Sequence, residues 1–165
     1  MKDNIVLIGM PGAGKSSAGI VLAKFLGYEF VDTDLVIQKK QGMLLKDIME
    51  KEGHEGFLRI EDKINSEIDV HKSIIATGGS VIYGANAMRH LAGIGTVVYL
   101  RASYETINSR LSDLKDRGVA MNPGQTLSDL YQERTVLYEK YADIAVDIDG
   151  LTIEETIRKI AGFFH

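Results

Sequence analysis

Eight residues near the start, Gly9-Met10-Pro11-Gly12-Ala13-Gly14-Lys15-Ser16, restrict this chain to a narrow set of folds. They satisfy the pattern G-x-x-x-x-G-K-[ST] in full. Ahead of them, Asn4 to Ile8 is short, β-branched and apolar, which predicts a buried strand. Behind them, Ile20, Leu22, Ala23, Phe25 and Leu26 predict an apolar helix face from about Lys15 to Leu26, stopped by Gly27. A strand that turns through glycines into a helix start gathers backbone N–H groups at the positive end of a helix dipole. Glycine removes the side chains that would keep an anion from those groups. Lys15 is then expected to bridge the β- and γ-phosphates of ATP, and Ser16 to offer its hydroxyl to Mg²⁺. Gly12, Ala13, Gly14, Lys15, Ser16 and Ser17 form the expected nucleotide cradle.

The rest of the chain alternates strands with helices. Further strands are predicted at Glu29 to Val31, Ser73 to Ala76, Thr96 to Leu100 and Ile144 to Val146. Helical text fills Leu35 to Val70 with breaks near Gly42 and Gly53, and shorter helices near 86–91 and 103–111. Leu127, Leu130, Arg134, Leu137 and Tyr141 share one side of a later helix. Thr152 and Glu155 make a capping box before Ile153, Ile157, Ile160 and Phe164. This alternation predicts an α/β fold: a parallel sheet flanked by helices, in one domain spanning residues 1–165. Ligands of such sheets sit at the carboxyl ends of the strands. The glycine-rich turn, Asp32-Thr33-Asp34 and Thr77-Gly78-Gly79-Ser80 all lie at such ends. Asp32 and Asp34 would face the same side if the extended backbone continued, one near Mg²⁺ and one near an acceptor hydroxyl. A plainer role is also open, with Thr33 or Asp34 capping the helix that follows.

Composition excludes several functions. The chain has no cysteine, which removes disulfides, thiolate catalysis and zinc–thiolate sites. Its formal net charge of −4 makes it a poor general ligand for nucleic acid or an anionic membrane. No apolar run reaches the roughly 20 residues of a membrane span, and the first residues lack a signal-peptide pattern. A cytoplasmic monomer acting on small molecules is the expectation.

Five segments together carry a more specific resemblance. They are the loop at 9–16, Asp32-Thr33-Asp34, Glu55-Gly56-Phe57 followed by Glu61, Thr77-Gly78-Gly79-Ser80-Val81, and Glu133-Arg134 before Leu137-Tyr138. In order and spacing the chain resembles the shikimate kinase family over nearly its whole length. The resemblance implies a three-layer P-loop NTPase fold with strand order 2-3-1-4-5. It implies an acceptor-binding helical region at about 33–70 and a lid at about 113–124. The implied reaction is ATP-dependent phosphorylation of shikimate to 3-phosphoshikimate. By the same resemblance Asp32 joins Ser16 in the Mg²⁺ shell, and Asp34 receives the acceptor hydroxyl. Gly78, Gly79 and Arg134 bind the acceptor, Arg110 sits near the adenine, and Arg117 reaches the phosphates from the lid. Lys15, Asp34 and Arg117 are the expected catalytic residues.

Three positions depart from the family pattern. An arginine normally follows the Phe of E-G-F and clamps the acceptor carboxylate; here that residue is Leu58, and Arg59 comes next. One residue along a helix is a turn of about 100°. Either the acceptor differs, or Arg59 or Lys63 takes the role. The third glycine of the triplet is Ser80, and the lid reads Arg117-Gly118-Val119-Ala120 where Arg-Pro is usual. A kinase for another small hydroxylated acid, and a nucleotide-binding regulatory module without acceptor chemistry, remain open as alternatives.

Overall fold

The computed structural model describes residues 2–111, 119–120 and 122–164. Five parallel strands form one sheet in the order β2-β3-β1-β4-β5. They are β1 (Asn4–Ile8), β2 (Glu29–Asp32), β3 (Ser73–Ala76), β4 (Gly95–Arg101) and β5 (Ile144–Asp147). β1 lies at the centre, with Val6 in register with Ile75 on one side and Val97 on the other. All five residues of β1 are buried, as a strand covered on both faces must be.

The flanking helices are α1 (Lys15–Leu26), α2 (Thr33–Gln41), α3 (Leu45–Ser66), α4 (Ala85–Ile94), α5 (Tyr104–Arg110), α6 (Leu127–Tyr141) and α7 (Ile153–Ala161). A 3₁₀ turn, Val81–Tyr83, joins β3 to α4. α1 ends at Gly27 in the left-handed region, and α7 opens with the expected Thr152–Glu155 capping box. α7 stops at Ala161, earlier than the apolar spacing predicted, although Phe164 still packs on the core. The helical stretch after β2 breaks between α2 and α3, and bends again at Gly53, where φ is 74° and ψ is 177°. Both breaks fall at the predicted glycines.

Two apolar clusters result among the described residues. The larger one fills the space between the sheet and its helices. The smaller joins Ile37, Ile48, Phe57 and Ile64 of α2 and α3 to Ala120, with Leu58 packed against it. This satellite forms a helical shoulder beside the carboxyl ends of β1, β2 and β3.

The amino ends of the strands are held differently. The Asn4 side-chain amide donates to the carbonyls of Val70 and Ile94, each at 2.9 Å. Its side-chain oxygen accepts from the Ser73 amide at 2.9 Å. One side chain thus satisfies three backbone groups where β1, β3 and β4 begin.

Candidate functional site

The turn from β1 to α1 is built as a phosphate cradle. Gly12 and Gly14 adopt φ of 85° and 88°, a left-handed conformation that an L side chain rarely takes. Lys15 is buried at 8 % exposure, and its ammonium donates to the carbonyls of Gly9 at 2.6 Å and Met10 at 2.9 Å. Its charge is therefore folded into the loop that a polyphosphate would fill. Burial lowers the Lys15 pKa to about 8, with Asp34 pulling the other way. Ser16 Oγ donates to Asp32 Oδ2 at 3.3 Å. That hydroxyl–carboxylate pair is an oxygen donor set suited to a hard divalent cation. No group of three or more acidic, histidine or cysteine residues among those described could hold a metal. Such a sparse set fits Mg²⁺, which is usually held by one or two protein oxygens, substrate phosphates and water. The loop amides, Lys15, Ser16 and Asp32 thus suit Mg²⁺–ATP.

Asp32 also answers the capping question. The extended backbone stops there, α2 starts at Thr33, and Asp32 Oδ1 accepts from the amides of Asp34 at 2.9 Å and Leu35 at 3.4 Å. Asp32 caps α2, rather than Thr33 or Asp34. The cap leaves Asp34 in the first turn, pointing into a cavity of about 550 Å³. The cavity is lined on one side by Gly12, Gly14, Lys15, Ser16 and Ser17. On the other side stand Asp34, Phe57, Glu61, Gly78, Gly79, Ser80 and Arg134.

The far wall is made of buried charge. Arg134 is 1 % exposed; it donates through Nη2 to the Ala120 carbonyl at 2.5 Å and lies 5.5 Å from the centre of the Tyr83 ring. Its Nε is buried without a hydrogen-bond partner among the described residues, as a guanidinium awaiting an anion would be. The Tyr83 hydroxyl donates to Glu133, and Tyr138 donates to the Gly79 carbonyl at 2.6 Å. Gly79 has no room for a side chain: a Cβ there would lie 2.7 Å from Pro11 and 2.8 Å from Arg134 Nη1. Asp34 is raised to about 6, chiefly by burial and then by Asp32, against the pull of Lys15. At neutral pH it is mainly a carboxylate.

Most expected site residues meet at this cavity. Ala13 sits behind it, lining a second cavity of about 200 Å³ with Ser17, Ile148, Leu151, Ile153 and Thr156. Arg110 borders both cavities and donates to the Gly12 carbonyl at 3.0 Å, a position suited to the junction of base and phosphates. Arg59 is not brought in. It is exposed, outside the lining, and its guanidinium lies over Gly56. Lys63 is exposed as well. The helical rotation that puts Phe57 and Glu61 on the cavity side turns both cations away. Arg117 lies outside the described residues, as does most of the expected lid. Sequence reasoning assigned no role to Glu61, Ser80, Tyr83 or Tyr138, although Glu61, Ser80 and Tyr138 lay inside its motifs.

A glycine cradle opening a helix, a cation inside it, and a carboxylate facing it across one cavity define a P-loop phosphotransferase. Residues 11–164 match the shikimate kinase family, and the chain belongs to it. It is 42% identical over 160 residues to the shikimate kinase of Thermodesulfovibrio yellowstonii, covering 95% of this chain and 92% of that one. Against the shikimate kinase of Histophilus somni the identity is 40% over 152 residues, covering 90% and 87%. The structure resembles shikimate kinase from Acinetobacter baumannii in complex with shikimate, with a TM-score of 0.89 and 33% identity over 99% of this chain and 93% of that one. The Aquifex aeolicus shikimate kinase gives 0.80 and 31%, over 96% and 94%.

Proposed function

We propose that this chain transfers the γ-phosphoryl group of ATP to a hydroxyl of shikimate, forming 3-phosphoshikimate and ADP, as a cytoplasmic monomer. The observation that carries the reading is the single cavity in which Asp34 and Arg134 face the Lys15 loop. ATP supplies the phosphoryl group; Ser16 and Asp32 would hold Mg²⁺, which would offset phosphate charge.

The chain's own groups do the rest. The loop amides and Lys15 hold the phosphates and oppose charge on the transferring oxygens. Arg134 binds the acceptor carboxylate through its guanidinium, whose Nε has no hydrogen-bond partner among the described residues. Asp34 receives the acceptor hydroxyl and takes its proton as the oxygen bonds to phosphorus and the bond to the ADP oxygen breaks. Phe57, Val119 and Ala120 wall the cavity with apolar surface that limits water. Arg117 supports the phosphates from the lid. The bulk of the rate comes from placement and fixed charge, since phosphoryl transfer needs little covalent help.

Coupled ADP release, measured with shikimate and a panel of other small hydroxy acids, tests the reading. Turnover on shikimate is expected, with a loss of at least about a hundredfold in Lys15→Ala. A second acceptor has one observation in its favour: Leu58 stands where the acceptor clamp is usual, and Arg59 faces away. Turnover confined to another acid would establish that acceptor. Nucleotide binding with no turnover on any acid would refute the kinase assignment.

A further inference from the structure

Ser80 adds a side chain at the third place of the glycine run, and that side chain turns inward. Its hydroxyl donates to Glu61 Oε1 at 2.6 Å, and both residues are buried. The bond ties the loop after β3 to α3. Glu61 Oε2 is different: it is buried and has no partner among the described residues. It lies 3.0 Å from the point where a Cβ on Gly78 would stand, and Asp34 Oδ1 lies 2.7 Å from the same point. The two oxygens are neighbours on the acceptor side of the cavity.

A buried carboxylate with one bare oxygen is costly, whereas a carboxylic acid with its proton on that oxygen is a ready donor. Several groups face Glu61 and decide between the forms. Asp34 from α2 and Asp62 on α3 favour the acid, while Arg134 from α6 and Lys15 from α1 favour the anion. Tyr138 stands close by on α6. Burial outweighs the Ser80 hydrogen bond, the next influence, and the carboxyl is pushed up to about 7. No cation of α3 opposes this, because Arg59 and Lys63 are exposed and outside the lining.

We propose that Ser80 and Glu61 form an acceptor-positioning pair, in which the Ser80 hydroxyl pins Oε1 and the proton on Oε2 is donated to an acceptor oxygen adjoining the hydroxyl held by Asp34. The pair rests on the reading of this cavity as the acceptor pocket of a kinase. The step is a hydrogen bond, so no bond to phosphorus or carbon changes. Acceptor affinity then depends on the neutral form of Glu61, which is present below about pH 7 and lost above it.

The test measures kcat and the KM for shikimate between pH 6 and 9 at saturating Mg²⁺–ATP. For the unaltered chain, KM rises roughly tenfold per pH unit above pH 8, with a small change in kcat. Glu61→Gln, an amide donor at every pH, holds KM constant within about twofold across the range. Ser80→Ala removes the hydrogen bond that favours the anion, so the pH at which KM begins to rise moves upward. A merely structural serine would leave that pH unmoved. Calorimetry of shikimate binding at pH 8, in two buffers of different ionisation heat, reports proton uptake in the unaltered chain. Absence of that uptake would overturn the pair even if neither variant folded. A Glu61→Gln profile matching that of the unaltered chain, or an unmoved Ser80→Ala profile, overturns it too. Shikimate turnover with a flat KM removes the pair alone. No turnover and no binding heat removes the acceptor assignment and the pair together.

Discussion

Asp34 and Glu61 are carboxyls that the fold holds above their ordinary range, to about 6 and about 7, chiefly through burial. Their folded forms bind protons that the unfolded chain has already released between about pH 4 and 7. Stability of the free protein therefore falls as pH rises through that window, and the penalty is complete above it. A calorimetric melt is expected to show a lower Tm at pH 8 than at pH 5.5 from these two groups. Glu61→Gln should raise Tm at pH 8 by about 2–5 °C and change it little at pH 5. No gain at pH 8 would mean that the ionised carboxyl is well solvated. Leu58 poses a different test. It is partly buried against the satellite cluster, next to Phe57 on the cavity wall. Leu58→Arg is expected to lower the KM for shikimate about tenfold or more, the scale of one added charge-assisted contact. An unchanged KM would show that position 58 does not reach the acceptor.

At the scale of elements, two loops converge on the site with different demands. The β1–α1 turn needs left-handed backbone at Gly12 and Gly14. The loop after β3 needs empty space instead. A Cβ on Gly78 would lie 2.7 Å from Asp34 Oδ1 and 3.0 Å from Glu61 Oε2. Gly78→Ala should therefore raise the shikimate KM by about tenfold or more while nucleotide affinity stays within about twofold. Equal losses for both ligands would count against separate subsites. This difference also explains what the sequence made legible. The cradle is contiguous, and its chemistry follows from eight adjacent residues and the strand and helix around them. The strand order was implied by resemblance, and the structure has it. The acceptor wall is assembled from α2, α3, α6 and the β3 loop, whose residues meet only through packing. Glu61 stood in a known segment, yet its bond to Ser80 spans 19 residues. Tyr138 also stood in such a segment, yet nothing local reveals that its hydroxyl reaches the Gly79 carbonyl. Arg59 was considered because its charge was visible, while its direction depends on helix phase. Likewise the cap of α2 fell to Asp32, since the strand ended one residue later than its apolar pattern.

For the whole molecule, the division into a large core and a small shoulder sets the order of local opening. Among the described residues the shoulder has few buried apolar side chains, Ile37, Ile48, Phe57, Ile64 and Ala120. The sheet core is far larger and includes all of β1 except Asn4. Segments with small apolar clusters open at lower free energy. Amides of α2 and the first half of α3 are expected to exchange with solvent at least about tenfold faster than those of β1, β3 and β4. Bound shikimate should slow exchange near residues 57–61, since Phe57 and Glu61 line the cavity. Uniform exchange across both regions would mean that shoulder and sheet open as one unit.

Asn4 gives that unevenness a direction. By joining the starts of three neighbouring strands, it pinches the sheet at the margin remote from the ligands, like a clip on one edge of a sheaf of papers. Such a clip favours opening at the opposite margin, beside the cavity. A single carboxamide outside the cavity lining thereby biases which end of the molecule yields first.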